Sequence, residues 1–215
     1  MASPYNGLNR PFPYLEANMR PGTILGTFAV QLVLASTALL IPLQGQEPGP
    51  TTPAADPTDV ESVDAIVAAV YDVISGPAGQ ARDWDRWRSL FIPEARLISV
   101  GRTQDGTNRY RVMTPEDYVQ GAGTSLEENG FFEDEIGRTQ EEFGPVVHLF
   151  SAYQSKRSLN DPVPFARGIN SFQLLDDGER WWVVTVFWTS EGQDLIIPEG
   201  YLTGKGLGLL PSPTR

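Results

Sequence analysis

The chain has 215 residues, enough for one domain of ordinary size with extensions, and its hydrophobic content of 40% suffices for a packed core. Its net charge is −11. Because such a surface repels phosphate backbones and anionic lipid, nucleic-acid binding is not expected. The absence of cysteine excludes disulfides, thiolate metal ligands and a cysteine nucleophile.

The N-terminal part of the sequence predicts export to the periplasm or secretion. Residues 23–43 carry no charge and follow Arg10 and Arg20, which is the pattern of a signal peptide. Met19 would make a more usual start for such a peptide than Met1. The apolar run is also long enough to span a bilayer, so an uncleaved membrane anchor stays open as an alternative. Any membrane contact is expected through this segment alone.

Composition divides the chain into four parts. The expected parts are an N-terminal extension (1–45), a disordered linker rich in Pro, Thr and Ala (46–57), a folded domain (58–192) and a Gly/Pro-rich, loosely packed tail (193–215).

Three helices are predicted within the domain. Thr58 and Glu61 form a capping box at the start of a helix that continues to residue 74. A second, short helix is expected over residues 81–91. A third extends from about residue 114 to 129, with Thr as its N-cap and Pro at its first position.

The remaining periodic segments alternate and predict strands. Two short strands and one acidic strand precede a meander of three main strands: 96–100, 109–113, 131–143, Val146–Ser155, Phe165–Leu175 and Trp181–Ser190. Asp177-Gly178 indicates a tight hairpin between the last two. The fold class is therefore α+β, with a strongly bent antiparallel sheet wrapped around the N-terminal helices.

Several segments within residues 58–192 carry a family resemblance: Asp83–Phe91 with Ala95–Ser99, Val147–Tyr153, Arg167–Ser171 and Gly178–Trp182. Together they resemble the nuclear transport factor 2-like (NTF2-like) superfamily. Its cone-shaped, cystatin-like roll also houses SnoaL-like cyclases, ketosteroid isomerase and scytalone dehydratase. The resemblance implies the fold but no activity, because this scaffold hosts enzymes, ligand binders and interaction modules alike. The catalytic sets of the isomerase and the dehydratase find no matching residues here.

The turn also predicts a register for the last hairpin. If Asp176 faces Glu179, then Arg167 faces Trp188, and both faces of the hairpin are substantially apolar. An exposed apolar sheet face is costly, so we expect one face to meet the helices and the other a second subunit. The sequence thus predicts a homodimer.

His148, Tyr153 and Asp134 are the candidate catalytic residues. His148 is the only histidine, and its unperturbed pKa lies near neutrality. As a general base it would need an orienting partner in the cone, and otherwise it is a structural hydrogen-bonding residue. Tyr153 shares its strand and could donate a proton or pack in the core. Asp134 would pair with His148 if it pointed inward, and would otherwise belong to a solvated edge.

Five further residues are candidate ligand contacts. Asn170 and Ser171 place polar groups in mid-strand, where they either line a wet cavity or satisfy the backbone. Arg167 and Trp188 would form a cation–π contact, or the guanidinium would bind a carboxylate. Trp84 serves as core or as a ligand platform. With one histidine and no cysteine, we expect no metal and no other cofactor.

Three functions fit this pattern. The leading hypothesis is an exported protein that binds a small apolar or carbonyl-bearing molecule in an apolar cone-shaped pocket. An alternative is a SnoaL-like, cofactor-free isomerase, cyclase or dehydratase with His148 as general base. A third is a dimeric interaction module whose cone is filled by side chains. The interior of the cone discriminates among them.

Overall fold

The computed structural model describes residues 52–103, 105–192 and 194–204. Its elements, in chain order, are α1 (Pro57–Val60), α2 (Val63–Ile74), α3 (Trp84–Ser89), β1 (Phe91–Arg102), β2 (Asn108–Met113), α4 (Pro115–Asn129), β3 (Phe132–Phe143), β4 (Val146–Lys156), β5 (Ala166–Asp176), β6 (Trp181–Ser190) and α5 (Glu199–Leu202). The three main strands predicted from the sequence are confirmed to within two residues at each end.

The first predicted helix is divided in two. Asp56 caps α1, because its carboxylate accepts hydrogen bonds from both the backbone N–H and the hydroxyl of Thr58. The predicted capping box of Thr58 with Glu61 is therefore wrong. Ser62 interrupts the helix and caps α2, since its hydroxyl accepts from the Ala65 N–H at 3.1 Å.

The next two helices begin at side-chain caps. Asp83 caps α3, accepting from the Arg86 N–H at 2.9 Å, and the helix is shorter than predicted because Phe91 already belongs to β1. At the start of α4, Thr114 and Asp117 form a reciprocal capping box, with Pro at the first helical position. The predicted bounds of this helix are confirmed.

One six-stranded sheet has the order β2-β1-β6-β5-β4-β3. The predicted α+β roll is confirmed, but one pair departs from the antiparallel expectation because β1 and β6 are parallel. The reason lies in α4, which carries the chain from β2 at one edge of the sheet to β3 at the other. After that crossover, the meander β3 to β6 returns to β1 in the parallel direction.

The turn between β5 and β6 has a different phase from the one predicted. Asp176 pairs with Trp181, so the predicted pairing of Asp176 with Glu179 is wrong. The side chain of Asp177 accepts hydrogen bonds from the N–H of Glu179 at 2.9 Å and of the next residue at 2.8 Å. Gly178, with φ 91°, takes the left-handed position between them. The turn therefore centres one residue later than the Asp-Gly pair indicates.

A bulge between Gln173 and Leu174 shifts the hairpin further. As a result, Trp188 faces Asn170 rather than Arg167, and the predicted cation–π contact is wrong. The guanidinium of Arg167 instead lies 3.6 Å from the carboxylate of Glu191. This shift places Asn170 and Trp188 side by side on the inner face of the sheet.

The inner face of the sheet packs against α2 and α3 and forms the core. Its largest fully buried side chains include Trp87, Phe91, Phe172, Ile66, Leu90 and Leu149. The indole N–H of Trp87 donates to the carbonyl of Pro115 at 3.1 Å, and its ring stacks on Tyr118 at 4.9 Å between centroids. Both contacts fix α4 over one end of the roll.

Part of the predicted tail is packed on the sheet. Helix α5 lies against β3, where a Cβ on Gly137 would approach the carbonyl oxygen of Tyr201 to 2.5 Å. Residues 205–215 and the apolar segment 23–43 lie outside the described residues. Across the described ranges, no helix has the length and hydrophobicity needed to cross a membrane.

Arg82 connects the helices α2 and α4 through a buried side chain. Its buried guanidinium donates to four backbone carbonyls, those of Ile74 at 3.0 Å, Gly76 at 2.7 Å, Gln80 at 2.5 Å and Leu126 at 3.1 Å. Two of these acceptors are orphan carbonyls in the last turns of α2 and α4, which have no partner within their own helix. One side chain therefore closes the ends of two helices and the loop between α2 and α3.

We expect Arg82→Met to lower the free energy of unfolding by about 3 kcal/mol or more, because several buried carbonyls lose their donor at once. The matched control is Arg88→Met, which removes ion pairs to Asp85 and Glu116 at the surface and should cost about 1 kcal/mol or less. Urea unfolding followed by circular dichroism measures both. Equal losses in the two variants would contradict the role assigned to Arg82.

Candidate functional site

A cavity of about 240 Å³ opens between the helices and the inner face of the sheet. Most of its wall is apolar, formed by aliphatic and aromatic side chains of the core: Val70, Ile74, Trp87, Leu97, Phe172 and Trp188. Six polar side chains reach the same space: Tyr118, Glu133, Tyr153, Ser155, Asn170 and Ser190. A small number of polar groups that converge in a mostly apolar cavity is typical of small-molecule sites.

Glu133 is placed in the cavity by the first residues of β3. Phe131 and Gly76 exchange two backbone hydrogen bonds, and the Glu133 N–H donates to the hydroxyl of Ser75 at 3.0 Å. Glu133 pairs with Ser155 of β4, so its side chain points to the inner face. Its carboxylate accepts from the Ser155 hydroxyl at 2.7 Å.

Burial in this apolar surrounding raises the pKa of Glu133 to about 7, although hydrogen bonds from Ser155 and Asn170 act in the opposite direction. The amide Nδ2 of Asn170 lies 3.4 Å from the carboxylate. A carboxyl group with this pKa exchanges its proton near neutrality. Glu133 can therefore serve as a proton acceptor or donor inside the cavity.

The two tyrosines of the cavity are neutral donors at physiological pH. Burial raises the pKa of Tyr153 to about 12, and burial also raises the pKa of Tyr118. The Tyr153 hydroxyl lies 2.9 Å from the hydroxyl of Ser190. No residue within the described ranges is hydrogen-bonded to the Tyr118 hydroxyl, which thus remains able to bind a ligand oxygen.

Three of the eight sequence candidates line the cavity: Tyr153, Asn170 and Trp188. Trp84 does not, since its indole N–H donates to the Glu127 carboxylate at 3.0 Å and its ring covers Gly123. Of the two roles that the sequence allows for Trp84, core residue and ligand platform, these contacts support the first.

The other four candidates, Asp134, His148, Arg167 and Ser171, lie on the outer face of the sheet. His148 Nε2 lies 3.2 Å from the Ser171 hydroxyl, and the carboxylate of Asp134 accepts from the Gln154 amide at 2.8 Å. Side chains alternate along a strand, so His148 and Tyr153 point to opposite faces. The structure does not bring His148 to the cavity, and the general-base hypothesis for it loses its geometric basis.

Sequence reasoning missed Glu133 and Tyr118. The acidic run 133–135 carries no apolar alternation, so the sequence does not show which of its side chains points inward, and it leaves Asp134 open as an inward acid or a solvated edge residue. Only the pairing with the neighbouring strand shows the direction, because Glu133 faces buried Ser155 and Glu135 faces buried Tyr153. Tyr118 lies on a weakly amphipathic helix, and its sequence does not indicate which side chains of that helix reach the cavity.

The cavity holds one carboxylate and no histidine. Within the ranges that the structure describes, no group of three or more His, Asp or Glu side chains is placed to bind a metal ion. What the cavity residues can do is bind, donate hydrogen bonds and transfer a proton.

No family model matches the chain, and the search of curated proteins found no match. Among solved structures it is similar to a cystatin-like protein of unknown function from Nostoc punctiforme (10% identity, 61% of this chain, 90% of that chain, TM-score 0.47). It is also similar to an NTF2-like protein of unknown function from Silicibacter pomeroyi (10% identity, 61% of this chain, 94% of that chain, TM-score 0.41). A further similar structure is an NTF2-like protein of unknown function from Methylobacillus flagellatus (15% identity, 61% of this chain, 95% of that chain, TM-score 0.40). The fold is an α+β roll built on one six-stranded sheet. The order and pairing of its own strands establish the roll, and likenesses this distant say nothing about activity.

The raised pKa of Glu133 has a consequence for stability. The carboxyl group binds its proton more tightly in the folded protein (pKa about 7) than in the unfolded chain (4.5). Below about pH 4.5 both states are protonated, and above that value the unfolded chain releases the proton first. The free energy of unfolding therefore falls as pH rises from about 4.5 to about 7, by on the order of 3 kcal/mol.

We expect Glu133→Gln to abolish this component, so that the variant gains stability relative to the wild type between pH 4 and pH 8. Urea unfolding at a series of pH values measures the difference. The control is Asp134→Asn, the neighbouring acid on the outer face, which should follow the wild-type profile. Parallel profiles for Glu133→Gln and the wild type would show that the Glu133 carboxyl is not shifted.

Proposed function

We propose that the chain is an exported protein that binds a small, largely apolar molecule in the cavity of its roll. The observation that carries this proposal is the open cavity of about 240 Å³, with its apolar wall and a few convergent polar groups. The wall would supply affinity by removing apolar ligand surface from water. The polar groups would fix the orientation of the ligand.

The free hydroxyl of Tyr118 favours a ligand that carries an oxygen acceptor. Because burial raises its pKa, this hydroxyl keeps its proton and can donate to a carbonyl oxygen. Trp188 and Phe172 offer flat apolar surfaces beside it. A small ring compound with a carbonyl group therefore fits the chemistry of the site.

Export is supported by the uncharged segment 23–43 alone and stays a prediction, with membrane anchoring as the alternative. The homodimer also stays a prediction. What supports it is a row of apolar side chains on the outer face of β1, β2 and β6, including Tyr110 (76% exposed), Val112 (51%) and Phe187 (47%). The interaction-module hypothesis required a filled cone, and the open cavity speaks against it.

We expect the full chain to bind 2-acetylnaphthalene, a ketone on an apolar ring system, and Ala166→Trp to weaken this binding at least about tenfold, or 1.4 kcal/mol. Ala166 lines the cavity, and an indole there would occupy the ligand space. The control is Arg167→Trp, which adds the same indole one residue later on the outer face. Isothermal titration calorimetry measures both. Unchanged affinity in Ala166→Trp, or equal losses in the two variants, would contradict binding in the cavity.

A second candidate function is proton transfer, and the pKa of Glu133 favours it specifically. As a carboxylate, Glu133 would remove a proton from the carbon next to a ligand carbonyl, leaving the electron pair as an enolate. A tyrosine hydroxyl would stabilise the negative oxygen, and the proton would return from Glu133 to carbon. This chemistry is that of a cofactor-free isomerase, cyclase or dehydratase, with Glu133 in the role that the sequence assigned to His148.

Exchange of hydrogen for deuterium next to a carbonyl group tests this second function. We expect the chain to accelerate exchange into 1-tetralone in deuterated buffer, with a rate that rises through an apparent pKa of about 7. Glu133→Gln should lower the accelerated rate by about 10²-fold or more. His148→Ala, on the outer face, should leave it unchanged. Proton NMR measures the exchange, and a rate insensitive to Glu133→Gln would exclude Glu133 as the base.

A further inference from the structure

A chain of hydrogen bonds leads from an ion pair on β3 to the cavity. The Glu135 carboxylate accepts from the Arg138 guanidinium twice, at 2.9 Å from Nε and 2.7 Å from Nη2. It also accepts from the hydroxyl of Ser151 at 2.5 Å. A carboxylate paired in this way with a guanidinium holds no proton of its own. Ser151 must therefore use its single hydrogen toward Glu135.

This fixes the direction of the next bond. The Tyr71 hydroxyl lies 2.7 Å from the oxygen of Ser151. Since Ser151 has no second hydrogen to give, Tyr71 donates to it. The oxygen of Tyr71 is then free to accept, and Nδ2 of Asn170 donates to it at 3.0 Å.

Each of the two hydrogens of the Asn170 amide therefore has an acceptor. One goes to Tyr71, and the other faces the Glu133 carboxylate at 3.4 Å. No described residue donates to the amide oxygen Oδ1. Within the described ranges no fully buried side-chain nitrogen or oxygen lacks a partner, and Asn170 lines the cavity. Its Oδ1 is therefore accessible there, as an acceptor without a protein donor.

The opposite orientation of the amide is unfavourable. A half-turn would place Oδ1 of Asn170 beside the Glu133 carboxylate, with no hydrogen between the two oxygens whenever Glu133 is ionised. It would also require Tyr71 to donate to Asn170, leaving its hydrogen bond to Ser151 unmade, because Ser151 already donates to Glu135. The ion pair on β3 thus selects one of two amide orientations at the cavity.

We propose that the hydrogen-bond chain Glu135–Ser151–Tyr71 locks the Asn170 amide with its oxygen toward the ligand. Among ligands with the same apolar ring system and an oxygen acceptor, the cavity therefore prefers those that also donate a hydrogen bond, of the class of small apolar alcohols and phenols. This inference rests on the cavity being the ligand site proposed above. It adds a selectivity that the apolar wall alone does not provide.

Two probes with the same ring system test the preference. 2-Naphthol carries a hydroxyl donor, and 2-methoxynaphthalene carries the same oxygen without its hydrogen. In isothermal titration calorimetry with the full chain, we expect 2-naphthol to bind about fivefold more tightly or better, the value of one net hydrogen bond.

Variants of the chain separate positioning from folding. Tyr71→Phe removes the acceptor that holds the Asn170 amide, so the amide can turn and the preference should fall to about twofold or less, although both probes still bind. Ser151→Ala removes the acceptor of Tyr71 and should have the same effect, which covers the case that one variant does not fold by circular dichroism. The control is Ser171→Ala, the same change beside Asn170 on the outer face, which should keep the wild-type preference.

The outcomes distinguish this inference from the proposed function. Equal affinities of the wild type for the two probes, or an unchanged preference in a folded Tyr71→Phe or Ser151→Ala variant, overturn the orientation of Asn170 and leave ligand binding intact. If the wild type binds neither probe nor 2-acetylnaphthalene, both the inference and the proposed function are overturned.

Discussion

The buried guanidinium of Arg82 is the interaction on which the position of the site depends. It donates to the carbonyl of Gly76, and the same carbonyl accepts from the N–H of Phe131, the residue just before β3. Phe131 in turn fixes the phase of β3, so that Glu133, two residues on, points into the roll. A cation buried at the end of one helix therefore sets which acid of a consecutive run reaches the cavity.

Burying that acid costs stability as the pH rises above about 4.5, and the surrounding structure offsets the cost only in part. Ser155 and Asn170 each donate to the Glu133 carboxylate, yet its pKa still rises, because desolvation outweighs two hydrogen bonds. Among the described residues no cation lies against this carboxylate, whereas Glu135, on the same strand, is paired with Arg138. Glu133 and Glu135 thus have separate roles, one in the cavity and one in an ion pair.

Much of the fold could be predicted because its signals are local. The strands β4 to β6 alternate or follow a tight turn, and the capping residues Thr114 and Asp117 mark the start of α4 within four positions. The register could not be predicted, because it depends on which residue of the turn takes the left-handed conformation and on a bulge at Gln173. Neither leaves a signature in one sequence, and together they moved Trp188 from Arg167 to Asn170.

Residues of the site could be predicted only in strands whose inward-facing positions can be identified from the sequence. Tyr153 lies in a strand whose buried positions alternate clearly, and it was identified, but His148 belongs to the other phase of the same strand. Its chemistry, rather than its phase, had made it the candidate base. The apolar residues beside Glu133 in its strand, Phe132 and Ile136, do not alternate with it and so do not reveal its direction. Long-range pairing with β4 supplies that direction, and one sequence does not contain it.

The pKa of Glu133 also separates the two proposed functions in physical terms. An apolar ligand that displaces water from the cavity removes solvation from the carboxylate and raises its pKa further. A ligand that is only bound would thus be accompanied by uptake of a proton near pH 7, and Glu133 would become a neutral donor. A substrate for proton transfer must instead keep Glu133 ionised until the reaction. That requires a compensating hydrogen bond from the ligand, and the free Tyr118 hydroxyl and the acceptor on Asn170 determine how such a ligand would lie.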